Sequence, residues 1–258
     1  MTGARLLAHQ TRFDLLAFAR NKESRFFTVA LPVIFLVIFA TVFGNDTTTV
    51  DGREIKQTTY YVPNLIALGV TGAAVTNLVI AVVTEREEGV LKRRRSTPVP
   101  PWVLIGGRAL TAVAISYLTL AVLMLIGRIA YGVAIPGRTM PAVLVTIGVA
   151  AVSLCCVGYA LSTWIASPDA VTPVMQAIVL PLYFISGFFI PDDDIPGWLL
   201  DVAGFFPLRH LGQALLTAFD PATPGSGLEP AHLGVMLAWG AVGLIVAVRR
   251  FTWSPLGT

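Results

Sequence analysis

YYVPNLIALGVTGAAVTNLVIAVVTEREEGVLKRRRSTPVPP, residues 60–101, is the stretch whose reading decides the fold. From Tyr60 to Val83 it carries no Asp, Glu, Lys or Arg. An apolar helix of about 20 residues crosses a hydrocarbon core of about 30 Å. Glu85, Arg86, Glu87, Glu88, Lys92, Arg93, Arg94 and Arg95 follow at once, then Pro98, Pro100 and Pro101. The pattern is a membrane span whose charged end runs on past the membrane face. Glu88 and Lys92 are an i,i+4 pair in the favourable order. Gly89 permits a bend, and the prolines stop one helix and start the next. A rigid, doubly charged projection suits docking in another protein's cleft. The plainer alternative is a solvated loop whose arginines only set topology.

The same alternation of apolar run and charged cluster repeats along the chain. Only 13% of the 258 residues are charged and the mean hydropathy is +0.75, whereas a soluble domain carries about 25% charged residues. Six spans are expected, at about Phe26–Phe43, Tyr60–Val83, Ala109–Val133, Pro141–Ala166, Val171–Ile190 and His232–Val248. Spanning backbone must satisfy its own hydrogen bonds, so runs of this length are helices. The fold class is an all-α polytopic membrane protein, a single transmembrane domain over residues 1–258.

Orientation follows from Lys and Arg. With the N-terminus inside, 13 of the 18 basic residues fall on the cytoplasmic side, the Lys92–Arg95 run among them. Both termini are therefore expected in the cytoplasm. Arg supplies 15 of the 18, a bias that suits a GC-rich bacterial genome and hence a bacterial cell membrane. The first 25 residues do not read as a cleavable signal peptide. They read as an amphipathic helix on the membrane surface, with Arg5, His9 and Arg12 on one side and Leu6, Phe13 and Ala17 on another.

Residues 191–220, on the outer side, are too broken by Pro191, Pro196, Gly197 and Pro207 for one straight span, and too apolar for a free loop. Trp198, Phe205 and Phe206 suit an interface. Short re-entrant helices dipping back towards the fifth span are expected, without a β-domain.

The sequence excludes much chemistry. It has no phosphate-binding loop, no H-E-x-x-H and no G-x-S-x-G. The adjacent Cys155 and Cys156 read as small buried hydrophobes, and His9, His210 and His232 as interfacial residues rather than metal ligands. No Asp, Glu or His chain runs through the spans to relay protons. There is no basic stripe interleaved with aromatics, so no nucleic-acid partner.

Two motifs carry a family resemblance. Glu85-Arg86-Glu87, then Gly89, Leu91 and Thr97-Pro98, is similar to the E-R-E-x-G-[TV]-L-x-x-x-x-x-T-P pattern after the second span of type-2 ATP-binding-cassette exporter permeases. Ser186-Gly187-Phe188-Phe189-Ile190-Pro191, Ile195-Pro196-Gly197-Trp198-Leu199 and Phe206-Pro207-Leu208 resemble that family's S-G-x-x-F-P … P-x-W-L … x-P-L element. The likeness is closest to the daunorubicin-resistance class. The unbroken Arg93-Arg94-Arg95 departs from the pattern, which has an apolar residue there.

The resemblance implies a machine of two permeases and two ATPase subunits, with ATP and Mg on the partner and no cofactor on this chain. It implies coupling to the ATPase through residues 84–101, with Glu85, Arg86, Glu87, Gly89 and Leu91 as contacts and the N-terminal helix also touching the ATPase. It places the substrate path near the second and fifth spans, where Thr172, Gln176 and Tyr183 form a polar stripe by helical spacing. Ordinary interhelical hydrogen bonding is the alternative for that stripe. The substrate expected is an amphipathic drug-like molecule. A lipid, glycolipid or polysaccharide is the alternative within the family. A membrane-embedded enzyme or a scaffold that does not transport is the alternative outside it.

Overall fold

The computed structural model describes residues 3–43, 46–50, 53–95 and 100–253. Thr97 and Pro98 of the first motif lie outside these. Helix α1 is Gly3–Arg20. Six helices are long and apolar enough to cross a membrane. They are α2 (Lys22–Phe43), α3 (Gln57–Glu87), α5 (Pro101–Tyr131), α6 (Met140–Ser162), α7 (Pro168–Ile185) and α10 (Pro230–Arg250). Three short helices complete the set: α4 (Val90–Arg95), α8 (Gly197–Ala203) and α9 (Pro207–Phe219).

The core forms around α3. Val62, Leu65, Ile66, Val70, Val79 and Val83 are fully buried on it, and α2, α5, α6 and α9 pack against it. Both α2 and α3 loosen into one π-helical turn, at Phe26–Ala30 and Gly72–Thr76. The side chains of Thr28 and Asn77 meet there, the Asn77 amide donating to the Thr28 hydroxyl at 2.6 Å. A π turn exposes a backbone carbonyl and widens the helix, which lets polar side chains pair at a crossing in lipid. Elsewhere small residues set the spacing. Helix α10 lies along α6 so closely that a Cβ on Gly243 would stand 2.7 Å from the backbone of Cys156 and Val157. Without a hydrophobic force between helices in lipid, such close backbone approach is what holds them.

The outer element is helical, as expected, and carries no strand among its described residues. After a 3₁₀ turn at Asp192–Asp194, α8 touches the fifth span, as expected, whereas helix α9 touches it only lightly and inserts chiefly against α3, α6 and α10. The cause is its apolar face: Leu208, Leu211, Leu215 and Phe219 are all buried. The second motif acquires a physical reading here. Gly187 adopts φ +81°, a left-handed turn that ends α7. It drives Phe188 into complete burial, stacked 5.3 Å from Tyr183. Tyr60 closes the turn, its hydroxyl donating to the Gly187 carbonyl and lying 3.0 Å from that of Ile190. Asp192 then holds α9 through a two-pronged pair with Arg209, at 3.1 and 2.8 Å, and accepts from Gln213 at 2.8 Å.

Three further differences matter. A two-stranded antiparallel hairpin, β1 (Thr47–Val50) and β2 (Arg53–Lys56), lies between the first two spans and touches the Asp192–Asp194 turn. The third span begins at Pro101, not Ala109, so Arg108 sits inside a helix. Phe13, expected on a different side of α1 from His9, lies edge-on beside it and is 53% exposed. The protein-facing stripe of α1 is instead Leu7, Gln10 and Asp14, because α1 docks on α5 where Gly106 and Gly107 leave room for Leu7 and Gln10.

Gly243→Ala is expected to lower the melting temperature of the purified chain, since overpacking costs about 1–3 kcal/mol. Gly234→Ala, where a Cβ meets nothing within 4 Å, is expected to leave it unchanged.

Candidate functional site

The charged end of α3 is not a free projection. Arg86 is completely buried. Its Nη1 donates to the Ser162 carbonyl at 2.8 Å, its Nη2 to the Ile165 carbonyl, and its Nε to Glu87 Oε1 at 2.8 Å. Ser162 ends α6. The last carbonyls of a helix lack partners within it and carry its negative dipole end. A planar guanidinium bonds the last carbonyl of α6 and the Ile165 carbonyl just beyond the helix at once, which an ammonium cannot do in one geometry. Arg86 therefore ties the end of α3 to the end of α6.

Glu85, on the other side of α3, reaches Arg108 of α5 at 2.6 Å and Arg94 of α4 at 3.8 Å. Asp14 of α1 faces the same group: Gln10 donates to it at 2.8 Å, and Arg108 attracts it. Burial pushes the Asp14 carboxyl above the ordinary carboxylate range, while Arg108 and Gln10 pull it back. Asp14, Asn21, Asn77, Glu85 and Arg108 line a cavity of about 160 Å³ between α1, α2, α3 and α5. One charged cluster thus joins α1, α3, α4 and α5, and Arg86 extends it to α6. Charges this enclosed hold position only through one another.

The expected coupling residues divide accordingly. Glu85 and Arg86 turn inward, Glu87 is held by Arg86, and Leu91 is buried. Gly89, at φ +70°, separates α3 from α4. Glu88, Lys92 and Arg93 are exposed around that turn. Sequence reasoning missed Asp14 and Arg108 as members of the cluster. The signal for Arg108 was Pro100-Pro101, a helix start that places an arginine two turns inside an apolar helix.

The expected stripe on α7 separates. Thr172 and Gln176 are exposed, whereas Tyr183 is half-buried, 3.5 Å from the Leu68 carbonyl. Only Val171, Met175 and Val179 of α7 are buried, so most of this helix faces away from the rest of the chain. Pro191 precedes the 3₁₀ turn, Pro196 precedes α8, and Pro207 is the buried first residue of α9; Trp198 is 66% exposed. No group of three or more His, Cys, Asp or Glu that could hold a metal occurs among the described residues.

If the cluster is one unit, Glu85→Gln and Arg108→Gln should be strongly non-additive. A double-mutant cycle on thermal unfolding is expected to give a coupling of about 1–3 kcal/mol; additive effects would separate the two residues.

The family model described as ABC-2 type transporter matches residues 6–219. The chain is 24% identical over 195 residues to the probable multidrug ABC transporter permease YbhR of Escherichia coli strain K12, an alignment covering 76% of this chain and 50% of that one. It is 26% identical over 192 residues to the daunorubicin resistance ABC transporter permease protein DrrB1 of Streptomyces coeruleorubidus, covering 72% of this chain and 65% of that one. The chain thus spans about half the length of YbhR and less than two thirds of DrrB1.

Proposed function

This chain belongs to the ABC-2 type transporter family, and from that premise we propose that it is the membrane-spanning permease of an ATP-driven exporter. Two ATPase subunits hold ATP and Mg and supply the work, a reading supported by the membership of this chain in a family of ABC transporter permeases. A second permease, a copy or a homologue, completes the path. The cargo is an amphipathic drug-like molecule, a reading supported by the multidrug and daunorubicin-resistance names of the relatives. Both termini and the α3–α4 turn lie in the cytoplasm, as the basic residues favour.

The observation that carries this reading is the tethered turn. Glu88, Lys92 and Arg93 are exposed where α3 leaves the membrane, while Glu85 and Arg86 behind them are fastened to α5 and α6. Force applied by an ATPase at the turn therefore passes into three spans, where a loose loop would absorb it. The exposed Thr172 and Gln176 support the second permease. A polar side chain facing lipid at membrane depth is costly, so a wet path or a protein neighbour beside α7 is the more favourable surrounding.

Glu88→Lys tests the coupling in a complex reconstituted with co-expressed ATPase subunits. An exposed charge adds little to fold stability, but reversal at an interface costs several kcal/mol. Dye-stimulated ATP hydrolysis and export of an amphipathic fluorescent dye are expected to fall together by roughly tenfold or more, with insertion and melting temperature unchanged. Lys56→Glu, on the outer hairpin, is expected to behave as wild type. Unchanged activity and co-purification in Glu88→Lys would refute the coupling.

A further inference from the structure

Two histidines meet where the outer element crosses the last span. His210 stands in the first turn of α9 and His232 in the first turn of α10, both half-buried. Their Nδ1 atoms lie 2.7 Å apart, and His210 Nε2 lies 2.8 Å from the Gly204 carbonyl. A carbonyl only accepts, so the neutral His210 carries its proton on Nε2. Its Nδ1 is then a bare lone pair, and His232 Nδ1–H donates to it.

One added proton still fits, shared as an N–H⁺ bond between the two Nδ1 atoms. A second does not fit. It sets two donors and two positive charges face to face at a separation that only a hydrogen bond permits. Both rings also stand at helix N-termini, where the helix dipole disfavours a cation. The charged groups around the pair are few. Arg209 is held by Asp192, Glu229 just before α10 is the carboxylate near His232, and Asp201 on α8 is exposed. Helices α3 and α6 also pack on α9, and residues 57–83 and 140–162 of these carry no Asp, Glu, Lys, Arg or His. The tie beside the pair does not titrate: Trp239 Nε1 donates to the Phe205 carbonyl at 2.7 Å, and its ring stacks on Phe206.

We infer that His210 and His232 form a pH-sensitive latch between α9 and α10, closed while the pair is neutral or shares one added proton and open once both rings are cations. Separated imidazoles titrate near pH 6.5 and are both charged at about pH 5. The open state therefore takes up a proton that the closed state refuses. The latch is whole above the ordinary imidazole range, and as pH falls below it the closed state loses about tenfold per pH unit. Acid thus loosens the start of α9 from the last span while the Trp239 contacts and the apolar face of α9 stay in place. Which compartment's acidity is read depends on the outer placement of this element; the latch itself does not rest on the export reading.

The test is hydrogen exchange on the full chain in detergent at about pH 7.5 and about pH 5, corrected for the intrinsic pH dependence of exchange. EDTA is present so that no metal bridges the two rings. In wild type, amides in residues 204–213 and 231–236 are expected to lose protection by about tenfold or more at the lower pH, with residues 140–162 unchanged. His232→Gln keeps a side chain that bonds His210 in either protonation state, and is expected to cut the pH effect to about twofold or less. His210→Gln is expected to do the same, and stands in if His232→Gln does not fold. Glu229→Gln removes the nearby carboxylate and is expected to keep the full pH effect. Equal protection of wild type at the two pH values would overturn the inference. So would a full pH effect in a folded histidine variant, or its loss in Glu229→Gln, which would assign the titration to the carboxylate.

Discussion

Burying the Arg86 guanidinium costs several kcal/mol, and much of the surrounding architecture serves to offset that cost. Its partners are the carbonyl of Ser162, left open because α6 ends there, the carbonyl of Ile165 in the loop just beyond, and Glu87 one residue along α3. An arginine suits the position because one planar fork bonds two carbonyls at and just past the end of another helix while its Nε pairs with a carboxylate. The bond fixes where α3 stops relative to α6. It thereby fixes the direction in which Glu88 and α4 emerge, and it leaves Glu85 on the opposite side of α3 to recruit Arg108 and Arg94.

The other end of α3 is fixed by a different chemistry. Tyr60 closes the Gly187 turn, Phe188 fills the gap behind it, and Asp192 holds α9 by Arg209 and Gln213. These two polar fixtures, Tyr60 and Arg86 on one helix, are separated by an apolar core in which small residues and van der Waals packing set the spacing. Helix α7 takes little part, with three buried side chains. In the proposed exporter, α7 is the element left to meet a second permease, and α3 joins the ATPase side to the segment that carries α8 and α9.

The fold was largely legible because lipid imposes a coarse rule: long uncharged runs separated by charged clusters are helices. All six spans follow from it, and so does the helical outer element. The hairpin did not: Asp51-Gly52 between Thr47–Val50 and Arg53–Lys56 is a hairpin signal, but strands of four mostly polar residues carry no apolar alternation to mark them. Of the site, the motif Glu85-Arg86-Glu87 was legible as a cluster but not as to direction. Helical spacing puts adjacent residues about 100° apart, so Glu85 and Arg86 serve different neighbours, and which neighbours these are depends on where α5 starts and α6 stops. Asp14 carried no signal and Arg108 only that of the Pro100-Pro101 helix start, for the same reason: each matters only through an element distant in sequence.

The central claim is that Arg86 makes the end of α3 and the end of α6 one unit, and hydrogen exchange on Arg86→Lys tests it most directly. Lysine keeps the charge but cannot span both carbonyls in one geometry. The account predicts that amides in residues 84–95 and in residues 160–167 lose protection together, by about tenfold or more for the loss of about 1.4 kcal/mol. Faster exchange in residues 84–95 alone, or no change in either segment, would contradict it.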